Sequence, residues 1–420
     1  MTTSPETFPA DLPVTPEMVE DAARLLDGAV LRTPLIEAPN LSATLDCALS
    51  LKLENLQHTS SFKVRGSFVK LQGLAEAERR RGVVAMSAGN HAQGVAYHAA
   101  RLGIPATIVM PATTPFSKVE RTRAHGARIV LEGRTVADCV ARTQALIDGE
   151  GLVPVHPYDD PDIIRGQGTL GLEIDADGGH LDSVIVPIGG GGMMAGMAVA
   201  LKARRPDIRM IGVQVDSYPS MYDAVKGLPN RAGGSTLAEG IAVKEPGVLT
   251  RQIIAALVDE IILVPERAIE RAVQLLVEQQ RVVAEGAGAA GIAALLHAPE
   301  RFAGQSVATV ICGGNIDSRL LSSVLMRGLV RDGRLIRLRL EIHDEPGMLA
   351  TVAETIGKTG GNSVEVLHQR MFQDTPIKNA DLDVVVETRN PAHVDEILAR
   401  FVELGIEARL LGTEAGPGSG

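Results

Sequence analysis

The sequence predicts an α/β fold built on parallel sheets, followed by a smaller ferredoxin-like unit. Three observations carry that expectation. Over the first three quarters of the chain, short β-branched runs alternate with longer helical patterns, the signature of parallel sheets covered by helices. Near Gly333 the pattern changes to half-exposed strands and two amphipathic helices in the order βαββαβ. The clusters of glycine and small polar residues follow strands, and ligands of parallel sheets sit beyond the carboxyl ends of strands. With 420 residues, 45% of them hydrophobic, the chain is long enough for a large buried core.

The elements are read in chain order. Thr15-Pro16 places an N-cap and a first-turn proline ahead of a helix through about Leu26. Strands are expected at Leu49 to Leu53, Gly82 to Ala85, Ala106 to Val109, Arg128 to Leu131, Ser183 to Val186, Met210 to Val215, Ile261 to Val264 and Ala308 to Ile311. Helical stretches such as Ala92 to Arg101 and Ala268 to Gln280 separate most of them. Beyond Gly333, Leu335 to Ile342 alternates Leu/Ile with Arg/Glu and reads as a strand with one wet face. A helix at Pro346 to Ile356, strands at Asn362 to His368 and Ala380 to Glu387, a helix at Pro391 to Leu404 and a strand at Glu407 to Leu411 complete the unit. The Gly/Pro/Ser tail from Ala415 to Gly420 is expected to be disordered.

Charge and composition exclude several function classes. A formal charge of -10 disfavours nucleic acid and anionic membrane as partners, and the absence of Trp removes base-stacking platforms. Cys47, Cys139 and Cys312 are odd in number and far apart, which fits a reducing compartment. Met1 to Asp11 lacks a basic and an apolar region, so no signal peptide is read there, and no stretch is apolar enough to span a bilayer. A cytoplasmic protein acting on a small molecule is the expectation.

Four segments carry candidate chemistry. In Ser183 to Ala200 an apolar strand enters Gly189, Gly190, Gly191 and Gly192, then Met193 and a helix; bare amides at a helix N-terminus bind phosphate. The same segment matches Gly-x-Gly-x-x-Ala through Gly190, Gly192 and Ala195, with Asp216 ending the next strand. A dinucleotide site and a plain turn therefore stay open. In Ser61-Phe62-Lys63-Val64-Arg65-Gly66, Lys63 is either a solvated lysine or, if enclosed, an amine fit to form an imine and act as a base. Ser87-Ala88-Gly89-Asn90-His91-Ala92-Gln93 is a small-residue turn into a helix, where Asn90 either caps the helix or hydrogen-bonds a ligand. Cys312-Gly313-Gly314-Asn315 closes a strand, and Cys312 is either a buried apolar residue or a thiol facing a ligand. No His/Cys cluster has metal spacing, so no metal site is expected.

Together and in this order, the four segments resemble the fold-type II pyridoxal-phosphate enzymes related to the tryptophan synthase β chain, and within them the threonine/serine dehydratase branch. The resemblance spans about Pro16 to Val330. It implies a catalytic domain over 1–330, with a smaller subdomain over about 50–155 inserted in the larger. It implies pyridoxal phosphate held covalently by Lys63, with Phe62 near the ring and Asn90 on the ring oxygen. Gly189, Gly190, Gly191, Gly192 and Met193 would cradle the phosphate, and Cys312 beside Gly313 would face the ring nitrogen. Ser87, Ala88, Gly89, Asn90 and His91 would surround the substrate carboxylate, with the loops at Gly240 and Glu285 approaching substrate and ring. The implied activity is ammonia elimination from threonine, giving 2-oxobutanoate, and from serine more slowly, in isoleucine biosynthesis or threonine catabolism. Serine racemases of the branch carry a serine where this chain has Ala88, and their metal carboxylates are not evident around Gln214 to Ser220, so racemisation and a divalent ion are disfavoured. A racemase, a hydroxyaspartate dehydratase and, more remotely, a nicotinamide-dependent oxidoreductase are the alternatives. The unit over 334–412 resembles an ACT-type regulatory domain through Asp344-Glu345-Pro346-Gly347 and Asn362, which implies an amino-acid effector and a homodimer or homotetramer.

Overall fold

The computed structural model describes residues 8, 9, 11–135, 138–369 and 379–411. The tail expected to be disordered, and most of the segment read for a signal peptide, lie outside the described residues. The chain divides into two units, Met1–Ile316 and Asp317–Gly420. No helix among the described residues is long and apolar enough to cross a membrane.

Ten strands build the first unit: β1 Leu35–Glu37, β2 Ala48–Lys52, β3 Val83–Met86, β4 Ala106–Met110, β5 Arg128–Leu131, β6 Val153–Pro154, β7 Ser183–Pro187, β8 Arg209–Val215, β9 Glu260–Val264 and β10 Ser306–Val310. Six of them form one sheet in the order β1-β2-β10-β7-β8-β9, and four form another in the order β5-β4-β3-β6. Every pairing is parallel except the edge pair β1–β2. The β-branched runs explain the central strands. β7, Ser-Val-Ile-Val-Pro, is buried at all five positions, as a strand covered on both faces must be. β1 and β6 escape sequence reading because two or three residues carry no period to detect. The smaller sheet has its own core, in which Val83, Ala85, Val95, Ile108 and Met110 pack together.

The helix Pro16–Leu26 starts as expected, with Thr15 Oγ1 accepting from the Met18 amide. Of the two readings open for Asn90, helix capping does not hold. Gly89 occupies the N-cap position, Asn90 is the first residue of the helix Asn90–Leu102, and its side chain points elsewhere.

The second unit opens with the helix Ser318–Arg331, capped by Asp317. It then runs β11 Leu335–His343, helix Met348–Thr359, β12 Asn362–Gln369, β13 Asn379–Glu387, helix Pro391–Glu403 and β14 Glu407–Leu411. The sheet is antiparallel in the order β12-β13-β11-β14, which is the ferredoxin-like arrangement. Its core joins Leu338, Leu340, Leu382, Val384, Ile356 and Phe401. The helix after β11 begins at Met348 rather than Pro346, because Gly347 takes φ +100 at the N-cap.

Candidate active site

Parallel pairing puts the carboxyl ends of the strands on one edge, and the loops leaving those ends build the site. The segment Thr59–Lys63 is stitched to the loop after β10. The Phe62 amide donates to the Cys312 carbonyl (3.1 Å), the Gly314 amide to Ser60 (2.9 Å), and Ser61 forms an isolated bridge with Gly313. Lys63 then opens the helix Lys63–Gln72. Its Nζ donates to the Pro157 carbonyl at 2.8 Å and stands 5.1 Å from the Phe62 ring centre. Burial pushes the Lys63 amine down to about 8, while the charge of Glu285 pulls it back up. A half-buried amine bonded to a carbonyl fits the enclosed reading of Lys63 better than the solvated one.

Tyr158 links the lysine to the glycine bend. It follows the carbonyl that Lys63 holds, and its ring fills the space that a Cβ at Gly190 would need. Gly191 has φ +100 and caps the helix Gly192–Arg204. Thr250 Oγ1 donates to the Gly190 carbonyl at 2.6 Å and fixes the bend. No acceptor among the described residues takes the backbone N–H groups of Gly190, Gly191, Gly192 and Met193. A helix start with bare, buried amides suits a phosphate dianion. Gly189 lies against Gly240, whose carbonyl would be 3.1 Å from an added Cβ.

Asn90 reaches Glu285, with Nδ2 donating to Oε1 at 2.7 Å. Asn315 Nδ2 donates in turn to Asn90 Oδ1 and to the Thr59 carbonyl, each at 2.8 Å. Burial lifts the Glu285 carboxyl to about 7; the Asn90 bond and Lys118 oppose that rise and Glu239 adds to it. Cys312 is buried, and burial followed by the charge of Glu285 pushes its thiol well above the ordinary range. Lys118 pairs with Glu239 at 2.5 Å, joining the smaller-sheet region to the larger one beside Glu285.

The loop after β3 behaves unevenly. Ser87 Oγ accepts from the Gly89 amide at 3.2 Å, so this hydroxyl shapes the turn. Ala88 packs toward the smaller core, and a Cβ at Gly89 would meet open space. The His91 ring is committed to the Val155 carbonyl (2.9 Å), and burial together with Lys63 pushes it down to about 3. Only Nε2 is engaged, and Nδ1 is buried without a partner among the described residues. Phe62, Lys63, Asn90, Glu285, Cys312, Gly313, Gly240 and the glycine bend thus come together in the first unit.

The regulatory candidates do not converge within one chain. Asp344, Pro346 and Gly347 follow the His343 end of β11, whereas Asn362 pairs with Glu387 at the Leu335 end of the sheet.

Sequence reading missed the support beneath Lys63. Arg65, fully buried, grips Glu54 with Nε and Nη2 (both 2.8 Å) and Glu173 with Nη1 (2.6 Å). Lys52 Nζ meets Glu173 at 2.6 Å and the Thr33 carbonyl at 2.7 Å. Two cations and two anions balance. The motif displays Arg65, but its partners lie on separate elements and no spacing announces them. Pro157 and Tyr158 carry no motif signal either.

A family model described as pyridoxal-phosphate-dependent enzyme matches residues 26–313. An L-threonine ammonia-lyase of Thermotoga maritima is 43% identical over 401 residues, which is 95% of this chain and 100% of that one. The solved structure of the processed form of threonine deaminase isoform 2 from Solanum lycopersicum is 32% identical with a TM-score of 0.71, covering 77% of this chain and 93% of that one. A serine racemase structure from Dictyostelium discoideum is 30% identical with a TM-score of 0.68, covering 72% and 99%.

Proposed function

The chain belongs to the pyridoxal-phosphate-dependent enzyme family, and from that premise we propose that it is a threonine ammonia-lyase. It releases 2-oxobutanoate and ammonium from L-threonine and acts on L-serine more slowly. One observation carries the reading. Lys63, its amine depressed to about 8, is tied through Pro157 and Tyr158 to a glycine bend with bare amides, so a base and an anion cradle share one wall.

When bound, pyridoxal phosphate supplies an electron sink for negative charge at the substrate α-carbon. The amides of Gly189–Gly192 and Met193 hold its phosphate with the positive end of the helix dipole. Lys63 would hold it covalently and would take the α-proton on Nζ; a depressed amine keeps a usable neutral fraction for that task. Phe62 packs beside that amine. Asn90 serves the ring oxygen. Cys312 stays a neutral thiol, so at the ring nitrogen it stabilises positive charge poorly. That moderates the sink and favours loss of a β-substituent over transamination. The amides of Asn90 and His91, at the start of a helix, would receive the substrate carboxylate, with Ser87 holding the turn through the Gly89 amide and Gly240 closing the opposite side. Ala88 offers no second proton-transferring group, which weighs against racemisation.

The purified protein, supplied with pyridoxal phosphate, is expected to absorb in the violet and to release 2-oxo acid fastest from threonine among threonine, serine and 3-hydroxyaspartate. Faster release from 3-hydroxyaspartate, or D-serine formed from L-serine, would favour the hydroxyaspartate dehydratase or racemase likeness. Absence of violet absorption would return the glycine bend to a nicotinamide reading.

For the second unit we propose an amino-acid effector bound by the turn Asp344–Pro346–Gly347 together with Asn362 of a second copy, within a homodimer or homotetramer. Support comes from β12. It is an edge strand exposed at every position from Asn362 to His368, including Val364, Val366 and Leu367. Placement in the cytoplasm, in isoleucine biosynthesis or threonine catabolism, belongs to the same proposal. Light scattering and threonine turnover with single added amino acids test it.

A further inference from the structure

Two amides and one carboxyl form a directed chain along the edge of the cleft. Asn315 occupies the Asn90 carbonyl oxygen, which fixes the Asn90 NH2 on the far side, against Glu285. An amide NH2 carries two hydrogens. Glu285 takes one, and the other has no acceptor among the described residues. Glu285 is itself anchored, its backbone N–H donating to the Gly313 carbonyl at 3.0 Å. A Cβ at position 313 would stand 2.5 Å from Glu285 Oε1, so the glycine after Cys312 makes room for this carboxyl. Nothing in the proposed chemistry yet uses the acid.

We propose that Glu285 is a positioning residue of the reaction: through Asn90 it keeps one N–H turned to the coenzyme ring, and its charge sets the proton affinity of the Lys63 nitrogen in the holoenzyme. The inference rests on the reading that pyridoxal phosphate is held at Lys63. The charged and titratable groups facing Glu285 are Lys118 on the helix Phe116–Arg123, Glu239 on the turn Glu239–Ile241, Lys63, and Cys312 after β10. Among them, burial leaves Glu285 titrating at about 7, so its charge changes within the working range of an enzyme near neutrality. The sign is fixed. An anionic Glu285 favours a proton on the Lys63 nitrogen, and a neutral side chain does not.

The test is a pH titration of the holoenzyme's violet absorption, beside kcat and KM for threonine. Glu285→Gln keeps the shape and an acceptor for Asn90. It is expected to lower the midpoint of the violet band by about one pH unit, tenfold in proton concentration, and to remove the neutral limb of the kcat profile while KM stays close to wild type. A merely structural role would alter folding or coenzyme affinity without moving that midpoint. Lys118→Met, at a half-exposed surface pair, removes the cation facing Glu285 and frees Glu239; it is expected to move the neutral limb of kcat upward in pH, and it serves if Glu285→Gln does not fold. Superimposable titrations for wild type and Glu285→Gln, or an unmoved limb in Lys118→Met, overturn the assignment to Glu285. A wild-type protein that shows no violet band with added pyridoxal phosphate overturns the underlying reading instead.

Discussion

The two units distribute their candidate residues in opposite ways. In the first, residues as distant as Lys63, Asn90, Gly190 and Cys312 meet, because parallel strands release their loops on one edge. In the second, the turn at Gly347 and Asn362 sit at opposite ends of the sheet, because the helix Met348–Thr359 between them carries the chain back to the end where β11 began. A parallel sheet gathers a site from one chain. In the antiparallel sheet the two candidate segments stay at opposite ends of one chain.

That contrast is open to attack, starting where the effect is largest. Lys63→Ala is expected to cut threonine turnover by at least about 10^3-fold and abolish violet absorption while circular dichroism stays native. Retained turnover would break the one-edge account of the site. Arg65→Met leaves Glu54 and Glu173 with one fewer cation in a buried setting and is expected to cost about 3–5 kcal/mol in urea unfolding. A cost near zero would mean that the balanced cluster does not hold the helix bearing Lys63.

A smaller effect concerns acid. Burial, with Arg101 and His58 nearby, pushes His98 down to about 3 from its ordinary 6.5, and His91 falls as far. Between those values the unfolded chain binds protons that the native chain refuses. Stability is therefore full above about pH 6.5 and falls as the pH drops, by about 1.4 kcal/mol per pH unit for each histidine. His98→Leu should make the decline in urea midpoint shallower between about pH 6.5 and 4.5; an unchanged slope would show that the ring is protonated in the fold. The smallest expected effect is that of Asn362→Ala, which should leave basal turnover at the wild-type rate and weaken only the response to an added amino acid. A change in basal rate would place Asn362 in the chemistry of the first unit and collapse the contrast.

Sequence reading succeeded where chemistry and local structure coincide. The tetraglycine bend is legible because an apolar strand, four glycines and a helix start are contiguous, and the βαββαβ order is legible because each strand of the second unit spans five or more residues. Glu285 was placed near the ring only through the family resemblance, since its charge state depends on Asn90, Lys118 and Glu239 arriving from three other elements. Arg65 stands in plain view within a motif, but its partners Glu54 and Glu173, and Lys52 that shares Glu173, are contributed by two other parts of the chain. Periodicity reports which face of an element is buried. It does not report which charges meet there.

The four-charge cluster beneath Lys63 also bears on heat. Stripping water from ions becomes less costly as temperature rises, because their hydration free energy grows less favourable. Arg65, Lys52 and Glu54 are fully dehydrated in the fold, and Glu173 is largely so. Their net contribution should therefore improve on warming, so that the anchorage of the lysine helix loosens later than the apolar packing around it. Thermal inactivation would then begin away from the floor of the cleft.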